Sequence, residues 1–500
     1  MNFLLRAKNF VSIIIIISGM SFIMLFLFSC DNIESPAQDT IIGGTETGEI
    51  TGDSDSGRPV TDSDDYEDDE DTEIVYAPGE RCYKKQIGPD KYLMHLEGSP
   101  YEMGFAHGYL NPVAVQRMCS KEFYLGAIKG LISSGNIGAL DQIFENDTLV
   151  DAVVKGVQKL ALLHKDNIPE ELMDEMQGIA DGVNAAGEHS FSLDNVIMLN
   201  IAMDTLMSIV YPIIVPILPV ADLLTAATPH ACNAFIAFGD ATTDGRVIMG
   251  RDFMFTHEVV HEVAMLIEYV PDNGYSFVSV NAPGFVGVTA AMNSEGIGIG
   301  MDVDTGIDTD PYDPGMGCLL LARMTIQYSD EMSTAIGIIK KAERGAPWIY
   351  AIGDGRGTEV GGAIIECSAS RFAVRYADFS YPYLFRQLGY ATQIEDKDDL
   401  VAATNHFITP WMQTTVLQYP SRDSLWRYKT MVNLIVDSYG TIDTAKGREL
   451  IDFLHPPNYD YYGDDPDRPV ASSVNLFDLE ELTVWSLFGL YSNPWASHQL

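Results

Sequence analysis

Hydrophobic and polar positions repeat with two different periods along the chain, and the period changes near residue 230. Before that point apolar residues recur at helical steps, as in the run Leu172, Met176, Ile179 and Val183. After it, short apolar segments are divided by turn signals such as Asp272-Asn273-Gly274, which are typical of β-hairpins. The pattern therefore predicts helices first and antiparallel strands afterwards.

The predicted elements alternate in blocks. Upstream, a strand over residues 92–98 leads into a helix that begins near Pro100, and helical spacing continues over residues 136–206. The next strands are predicted at residues 233–239, 246–253, 263–270, 275–280 and 284–292. Helices over 317–328 and 329–344 follow, and then strands at 348–353, 361–367 and 371–376. This order predicts a mixed α/β fold with helices packed on the faces of sheets.

The first 30 residues are typical of an export signal. Arg6 and Lys8 precede a long apolar run that ends in Ser29-Cys30. A cysteine after a small residue resembles a lipobox, in which Cys30 is lipidated and becomes the mature N-terminus. An uncleaved anchor is the alternative, because the apolar run is nearly long enough to span a bilayer. Either reading predicts an exported protein, held at the membrane of the cell envelope.

A strongly acidic linker is predicted at residues 31–75. Residues 31–73 hold 16 Asp and Glu against one Arg, and the whole chain carries a net charge of −41. Such a segment cannot bury enough apolar area to order itself, so we expect a disordered spacer. The acidic balance also excludes a nucleic-acid partner, which would require Lys and Arg to replace phosphate counterions.

Cysteine usage predicts a reactive thiol. Once Cys30 is assigned to the lipobox, five of the six cysteines remain, and an odd number leaves at least one of them unpaired. Cys232 begins a predicted strand after an apolar segment with several prolines, where an N-terminal-nucleophile enzyme would place its nucleophile. An N-terminal cysteine carries its own base, since a thiol pKa near 8.5 lies close to an amine pKa of about 7.7–8.0. A buried structural cysteine is the alternative.

An ordered set of short motifs accompanies Cys232 between residues 96 and 495. They are Gly98/Gly104/His107/Gly108, residues 176–182, Cys232, Gly250-Arg251, residues 292–297, Gly353-Asp354-Gly355, residues 403–407 and residues 424–428. Together they resemble the acyl-coenzyme A:6-aminopenicillanic-acid acyltransferase family. The chain is more distantly similar to choloylglycine hydrolases and acid ceramidases.

The resemblance implies a four-layer αββα sandwich of the N-terminal-nucleophile type. It implies self-cleavage between Ala231 and Cys232, which leaves a mostly helical α piece (76–231) and a β piece (232–500) that stay associated. The activity implied is hydrolysis of an N-acyl amide or peptide, or transfer of its acyl group, through a thioester and without a cofactor.

The resemblance also implies roles for single residues. Arg251 would lower the thiol pKa or hold the substrate, and Asn405 would donate to the oxyanion; a surface ion pair and a plain turn are the respective alternatives. Relatives carry an aspartate three residues after this arginine, where the chain has Met254, and Asp252 is the candidate to bind the free amine instead. Without that aspartate, a non-catalytic surface module on the same fold is a rival reading.

Three further residues are candidates for binding substrate or supporting the site. Arg427 would hold the site together, although an arginine on a helix surface is an alternative reading. Asn293 is predicted as a hairpin residue. Asp302 stands near the position where bile-salt hydrolases use an asparagine, but an ionised Asp cannot donate a hydrogen bond.

One competing motif points to metal chemistry. His257-Glu258-Val259-Val260-His261 matches the HExxH pattern of zinc metallopeptidases, which requires a long helix and a third ligand. The β-branched pair at its centre favours a loop or strand edge, so we predict no metal. The acidic run between Asp302 and Asp313 is predicted to be a solvated loop.

Overall fold

The computed structural model describes residues 73–132, 147–187, 190–205, 207–208, 230–255, 258–304, 306, 308–310, 313, 315–377, 398–415, 422–453, 470 and 472–500. The predicted export signal, Cys30 and nearly all of the predicted linker lie outside these ranges. None of the described helices has both the length and the apolar composition that a membrane span would need.

The larger sheet is almost entirely antiparallel. Its strands, in spatial order, are β1 (Ile74–Tyr76), β2 (Tyr83–Gly88), β3 (Lys91–Gly98), β6 (Met265–Pro271), β7 (Phe277–Asn281), β8 (Ala290–Asn293), β9 (Ile297–Val303), β10 (Trp348–Asp354), β11 (Gly361–Cys367) and β12 (Phe372–Tyr376). The exception is the parallel pair β3 and β6, in which Leu93 lies opposite Leu266.

The smaller sheet is antiparallel throughout and contains Cys232. Its spatial order is β13 (Leu400–Thr404), β4 (His230–Gly239), β5 (Gly245–Phe255), β14 (Ser472–Asp478), β15 (Thr483–Leu487) and β16 (Ala496–Gln499). The predicted turn at Thr243-Asp244-Gly245 connects β4 to β5, and Gly245 has the positive φ of 86° that favours glycine.

Helices cover the outer faces of both sheets. They are α1 (Pro100–Leu110), α2 (Pro112–Met118), α3 (Lys121–Ile132), α4 (Asp147–Leu162), α5 (Glu170–Ala185), α6 (Leu193–Thr205), α7 (Glu258–Val263), α8 (Cys318–Tyr328), α9 (Met332–Lys341), α10 (Pro410–Gln413), α11 (Arg422–Asp437) and α12 (Thr444–Phe453). Side chains of α1, α8 and α9 pack on the larger sheet, and those of α11 and α12 pack on the smaller one. A third apolar core, which includes Ile236, Met249 and Leu266, lies between the two sheets. The predicted αββα sandwich is therefore the fold of this chain.

The region before Cys232 is less purely helical than predicted. It supplies β2 and β3, and the first two residues of β1 fall within the predicted linker. Since β3 pairs with β6, the segments on either side of Cys232 share one hydrogen-bonded sheet. This ladder would tie the two pieces together after a cleavage at Ala231.

Other differences follow from weak local signals. The strand expected over 284–292 is limited to β8, and the helix expected from residue 329 begins at Met332. β9 was not predicted from the sequence, because glycines at positions 298 and 300 interrupt its apolar pattern. The part of the HExxH segment that the structure describes, residues 258–261, lies in α7, so the expectation of a loop or strand edge was wrong there.

Glycines of the first two motifs allow α1 and α5 to pack with their backbones in contact. A Cβ added at Gly104 would lie 2.0 Å from the carbonyl oxygen of Glu175, and one at Gly182 would lie 2.0 Å from that of Phe105. Neither neighbour is a flexible side chain that could move aside. The motif therefore encodes a close helix crossing.

We expect Gly104→Ala to lower the free energy of unfolding by at least about 1–3 kcal/mol, because the helices must separate. Gly337→Ala on α9 is the matched control, since nothing lies within 4 Å of a Cβ at that position. The control should be neutral or slightly stabilising, because alanine favours helix by about 0.8–1 kcal/mol over glycine. Denaturant titration of both variants measures the difference, and equal midpoints would contradict the crossing.

Candidate active site

Cys232 is the third residue of β4, and its side chain is directed between the two sheets. Side chains alternate along a strand, and Ala234 and Ile236 on the same face belong to the core between the sheets. The residue is 2 % exposed. The bond between Ala231 and Cys232 lies within the ladder to β5, where these residues face Met254 and Phe253. The strand thus begins before the nucleophile, and not at it as expected.

Two side chains hold the backbone of Cys232. Its amide N donates to Asn405 Oδ1 at 2.8 Å, and its carbonyl oxygen accepts from Arg427 Nη1 at 2.7 Å. Arg427 Nη2 also donates to Asn405 Oδ1 at 2.9 Å, so the arginine and the asparagine act as one unit. Asn405 Nδ2 in turn donates to the carbonyl oxygen of Val303 at 3.0 Å. The asparagine therefore links β4 of one sheet to β9 of the other.

Two elements of the fold bring Asn405 and Arg427 to the backbone of Cys232. Asn405 directly follows β13, whose last residue, Thr404, pairs with Asn233 on β4. Arg427 lies on α11, which covers the smaller sheet, and it also donates to Asn233 Oδ1 at 2.6 Å. Arg427 is fully buried, so the reading of a surface arginine was wrong. Asn233 was not among the predicted site residues, although its position next to Cys232 places it on the face toward α11.

Arg251 and Asp302 form a buried ion pair between the sheets. Arg251 Nη2 lies 3.1 Å from Asp302 Oδ1, and both side chains are inaccessible to solvent. The guanidinium also donates to the carbonyl oxygens of Asp252 and Met301. Gly300 makes room for it, since a Cβ there would lie 2.5 Å from Arg251 Cδ. The alternative of a surface ion pair for Arg251 is therefore wrong.

Charge and burial act in opposite directions on the thiol. Burial raises the pKa of Cys232, the Arg251 guanidinium lowers it, and the Asp302 carboxylate raises it again. Burial likewise raises the pKa of Asp302 to about 6, although Arg251 and Arg427 lower it. Within the described residues, neither oxygen of the Asp302 carboxylate accepts a hydrogen bond. The site thus holds a buried carboxyl group that lacks a hydrogen-bond donor.

The other two predicted site residues, Asp252 and Asn293, lie in two different parts of the structure. Asp252 lies across from Asn233, whose Nδ2 donates to Asp252 Oδ2 at 3.2 Å. Strand alternation puts this carboxylate on the face toward α11, opposite to the Cys232 side chain. Asn293 ends β8, and its Nδ2 donates to the carbonyl oxygens of Ile326 and Ser329 at 2.8 Å each. Asn293 therefore fastens a hairpin to the end of α8.

A cavity is lined in part by Cys232. Its walls are formed mainly by aliphatic and aromatic side chains. Helices from before Ala231 and strands of both sheets contribute to them. The nucleophile candidate therefore adjoins a space that could receive part of a substrate.

The described residues contain no group of three or more His, Cys, Asp or Glu side chains placed to hold a metal ion. His257 lies outside them, and α7 is only six residues long. Cysteines at positions 82, 119, 232, 318 and 367 are all free, so no disulfide joins them.

Comparisons with known proteins show which proteins this chain is similar to. Residues 242–465 match the family model described as acyl-coenzyme A:6-aminopenicillanic acid acyl-transferase, a range that includes Arg251, Asp302, Asn405 and Arg427 and begins after Cys232. An uncharacterized protein of Archaeoglobus fulgidus is 51% identical over 420 residues, which are 84% of this chain and 67% of that protein.

Solved structures show weaker likenesses. The Caenorhabditis elegans ortholog of N-acylethanolamine-hydrolyzing acid amidase is 12% identical, with 50% of this chain and 93% of that chain covered and a TM-score of 0.34. A mutant conjugated bile acid hydrolase from Clostridium perfringens is 10% identical, with coverage of 51% and 89% and a TM-score of 0.33. Penicillin V acylase from Agrobacterium tumefaciens is 15% identical, with coverage of 51% and 83% and a TM-score of 0.33.

Proposed function

Because the chain belongs to the acyl-coenzyme A:6-aminopenicillanic acid acyl-transferase family, we propose that it cleaves N-acyl amides with Cys232 as the nucleophile. It is an enzyme of the class that acts on amide bonds, as a hydrolase or an acyltransferase. The observation that supports Cys232 is that Asn405 and Arg427 both form hydrogen bonds with its backbone. The buried Cys232 side chain also lines a largely apolar cavity.

The first step is autocleavage of the bond between Ala231 and Cys232. The Cys232 thiol adds to the carbonyl carbon of Ala231, and the peptide nitrogen leaves as the α-amine of Cys232, taking up the thiol proton. Water then hydrolyses the Ala231 thioester, which restores the thiol and leaves a β piece of 269 residues that begins at Cys232. The ladder between β3 and β6 supports continued association of the two pieces.

The freed amine then serves as the general base. It accepts the thiol proton while sulfur attacks the acyl carbon of the substrate, and it returns the proton to the departing amine. Asn405 Nδ2 uses one hydrogen for the Val303 carbonyl, and we assign the second to the developing oxyanion. The thioester on Cys232 finally passes its acyl group to water or to an acceptor amine.

Asp302 takes the place of the aspartate that is replaced by Met254. Met254 is buried and apolar, whereas Asp302 faces the space between the sheets together with Arg251 and Cys232. Its carboxylate lacks a hydrogen-bond donor, and cleavage would create a new one in the ammonium group of Cys232. The neighbouring Val303 contacts Asn405, which holds the nitrogen that becomes this amine. Asp302 is therefore proposed as a positioning residue for the base.

Trapping the acyl-enzyme tests the proposed function. Purified protein is mixed with an N-acyl amide, quenched with acid and analysed by mass spectrometry. We expect a fragment that begins at Cys232 and carries the mass of the acyl group on that residue. Active material in which the bond between Ala231 and Cys232 is intact throughout would overturn the mechanism.

The role of Asp302 predicts a change in pH dependence. A carboxylate beside an ammonium raises the amine pKa above its usual 7.7–8.0, and only the neutral amine accepts a proton. In Asp302→Asn the amine pKa should fall, so the acid limb of kcat/KM should move to lower pH by roughly one unit or more. The measurement is kcat/KM between pH 5 and 10.

Glu175→Gln is the matched control for this experiment. Glu175 is also a buried carboxylate paired with a buried arginine, Arg323, at 2.9 Å, but it joins α5 to α8 away from Cys232. This variant should lose stability and keep the acid limb in place. An unchanged acid limb in Asp302→Asn would show that Asp302 only neutralises Arg251.

A further inference from the structure

The cavity beside Cys232 is built jointly by the segments before and after the cleavage site. Phe123 of α3, Val157 of α4 and Ala202 of α6 form walls that precede Ala231, while strands of both sheets and α8 are among the elements after it that form the other walls. These walls meet only because the helices pack on the sandwich around Ala282, Phe285 and Val260. The cavity therefore exists only when both pieces are present.

The cavity has no charged lining among the described residues. Asp, Glu, Lys, Arg and His are all missing from its walls. Two polar side chains of the lining already donate hydrogen bonds within the protein. Asn281 donates to the Gly287 carbonyl oxygen at 2.7 Å, and Thr289 donates to the Val280 carbonyl oxygen at 3.2 Å. A charged or strongly polar group would lose its hydration here without a partner, which costs several kcal/mol.

Two further polar residues of the lining, Cys232 and Ser473, lie on the smaller sheet. Cys232 lies opposite Phe253, and Phe253 lies opposite Ser473, so these residues share one rung of the smaller sheet and face the same side. An amide group placed at this rung would present its carbonyl carbon to the thiol. The rest of the substrate's acyl group would then extend into the apolar part of the space.

From these observations we propose that the cavity binds the acyl part of the substrate, and that this part is a long hydrocarbon chain. The inference rests on the proposed function and adds the substrate class. The largely apolar lining of the cavity rewards each additional methylene group and offers few partners to hydroxyl or carboxyl substituents.

A homologous series of N-acyl amides, from butanoyl to tetradecanoyl with one common amine, measures this preference. A buried methylene is worth about 0.8 kcal/mol, which corresponds to a roughly fourfold gain in kcat/KM per carbon. We expect the octanoyl amide to exceed the butanoyl amide by more than about a hundredfold, until the chain fills the cavity. A flat or falling series would overturn the inference.

Binding to the uncut Cys232→Ala protein separates this inference from the proposed function. Calorimetric titration should show the same increase in affinity with chain length, although no bond is broken. If affinity rises with length and wild-type protein cleaves none of the amides, the cavity assignment stands and the proposed function fails. If amides are cleaved without any dependence on length, the proposed function stands and the acyl-chain assignment fails.

Narrowing the cavity provides a structural test. Ala202→Phe should shorten the preferred chain and lower the ratio of dodecanoyl to butanoyl kcat/KM at least tenfold, because the added ring occupies the space. Val157→Phe on α4 is a second variant with the same expected result. Ala185→Phe, at an exposed helical alanine on α5, is the matched control and should leave the ratio unchanged. A ratio unchanged in both narrowing variants would show that the acyl chain lies elsewhere.

Discussion

Cys232→Ala is expected to keep the bond between Ala231 and Cys232 intact and to lose amide cleavage entirely. Without the thiol, nothing attacks the carbonyl carbon of Ala231, so neither the free amine nor the acyl-enzyme can form. Removal of a nucleophile from a cooperating unit typically lowers kcat by about 10⁴–10⁶-fold, and here the base is lost together with it. Intact-mass measurement and a hydrolysis assay on the same preparation record both results.

Cys367→Ala is the control for this loss. Cys367 is also a buried, free cysteine, but its thiol donates to the Trp348 carbonyl at 3.4 Å within the larger sheet. This variant should be cut before Cys232 and should retain activity. A Cys232→Ala protein that is still cut at the same bond, or that still cleaves amides, would refute the assignment of the nucleophile.

Arg251→Met is expected to lower the free energy of unfolding by about 3–5 kcal/mol, because it leaves the buried Asp302 without its counter-charge. Activity should fall as well, since the guanidinium holds the thiol pKa down against burial. The loss of stability should be smaller at pH 5 than at pH 8. The pKa of Asp302 is about 6, so the carboxyl is largely neutral at the lower pH and needs no counter-charge.

The double variant Arg251→Met/Asp302→Leu distinguishes stability from catalysis. Removing both charges leaves an apolar pair of similar volume, which is often neutral for stability where a single removal is not. We expect most of the lost stability to return and the activity to stay low. If stability and activity both recovered, Arg251 would have no function beyond neutralising Asp302.

Several site residues could be identified from the sequence because their signals are local. Cys232 follows an apolar segment and begins a run of strand character, and the hairpin turn at Gly245 returns the chain so that Arg251 lies next to Ala234 on the neighbouring strand. The glycine motifs could also be recognised in the sequence, but the structural reason for the glycines could not. Only the packing shows that Gly104 and Gly182 allow the backbones of α1 and α5 to lie in contact.

Other features required three dimensions. Asp252 precedes Phe253 by one residue, yet strand register turns its side chain away from the space that Cys232 faces, and Asp302 reaches that space from the other sheet. The glycines that interrupt β9 hid the strand from a reading of apolar periodicity, although one of them makes room for Arg251.

The sequence by itself determined the layered α/β architecture, the nucleophile candidate and the family motifs, because hydrophobic periodicity, turn residues and short motifs act over a few neighbouring positions. The tertiary structure decided which carboxylate accompanies Arg251, how the chain on both sides of Ala231 shares one sheet, and how helices close an apolar cavity over Cys232. Each of these depends on contacts between distant segments, and a shift of one residue in strand register would reverse which side chains meet.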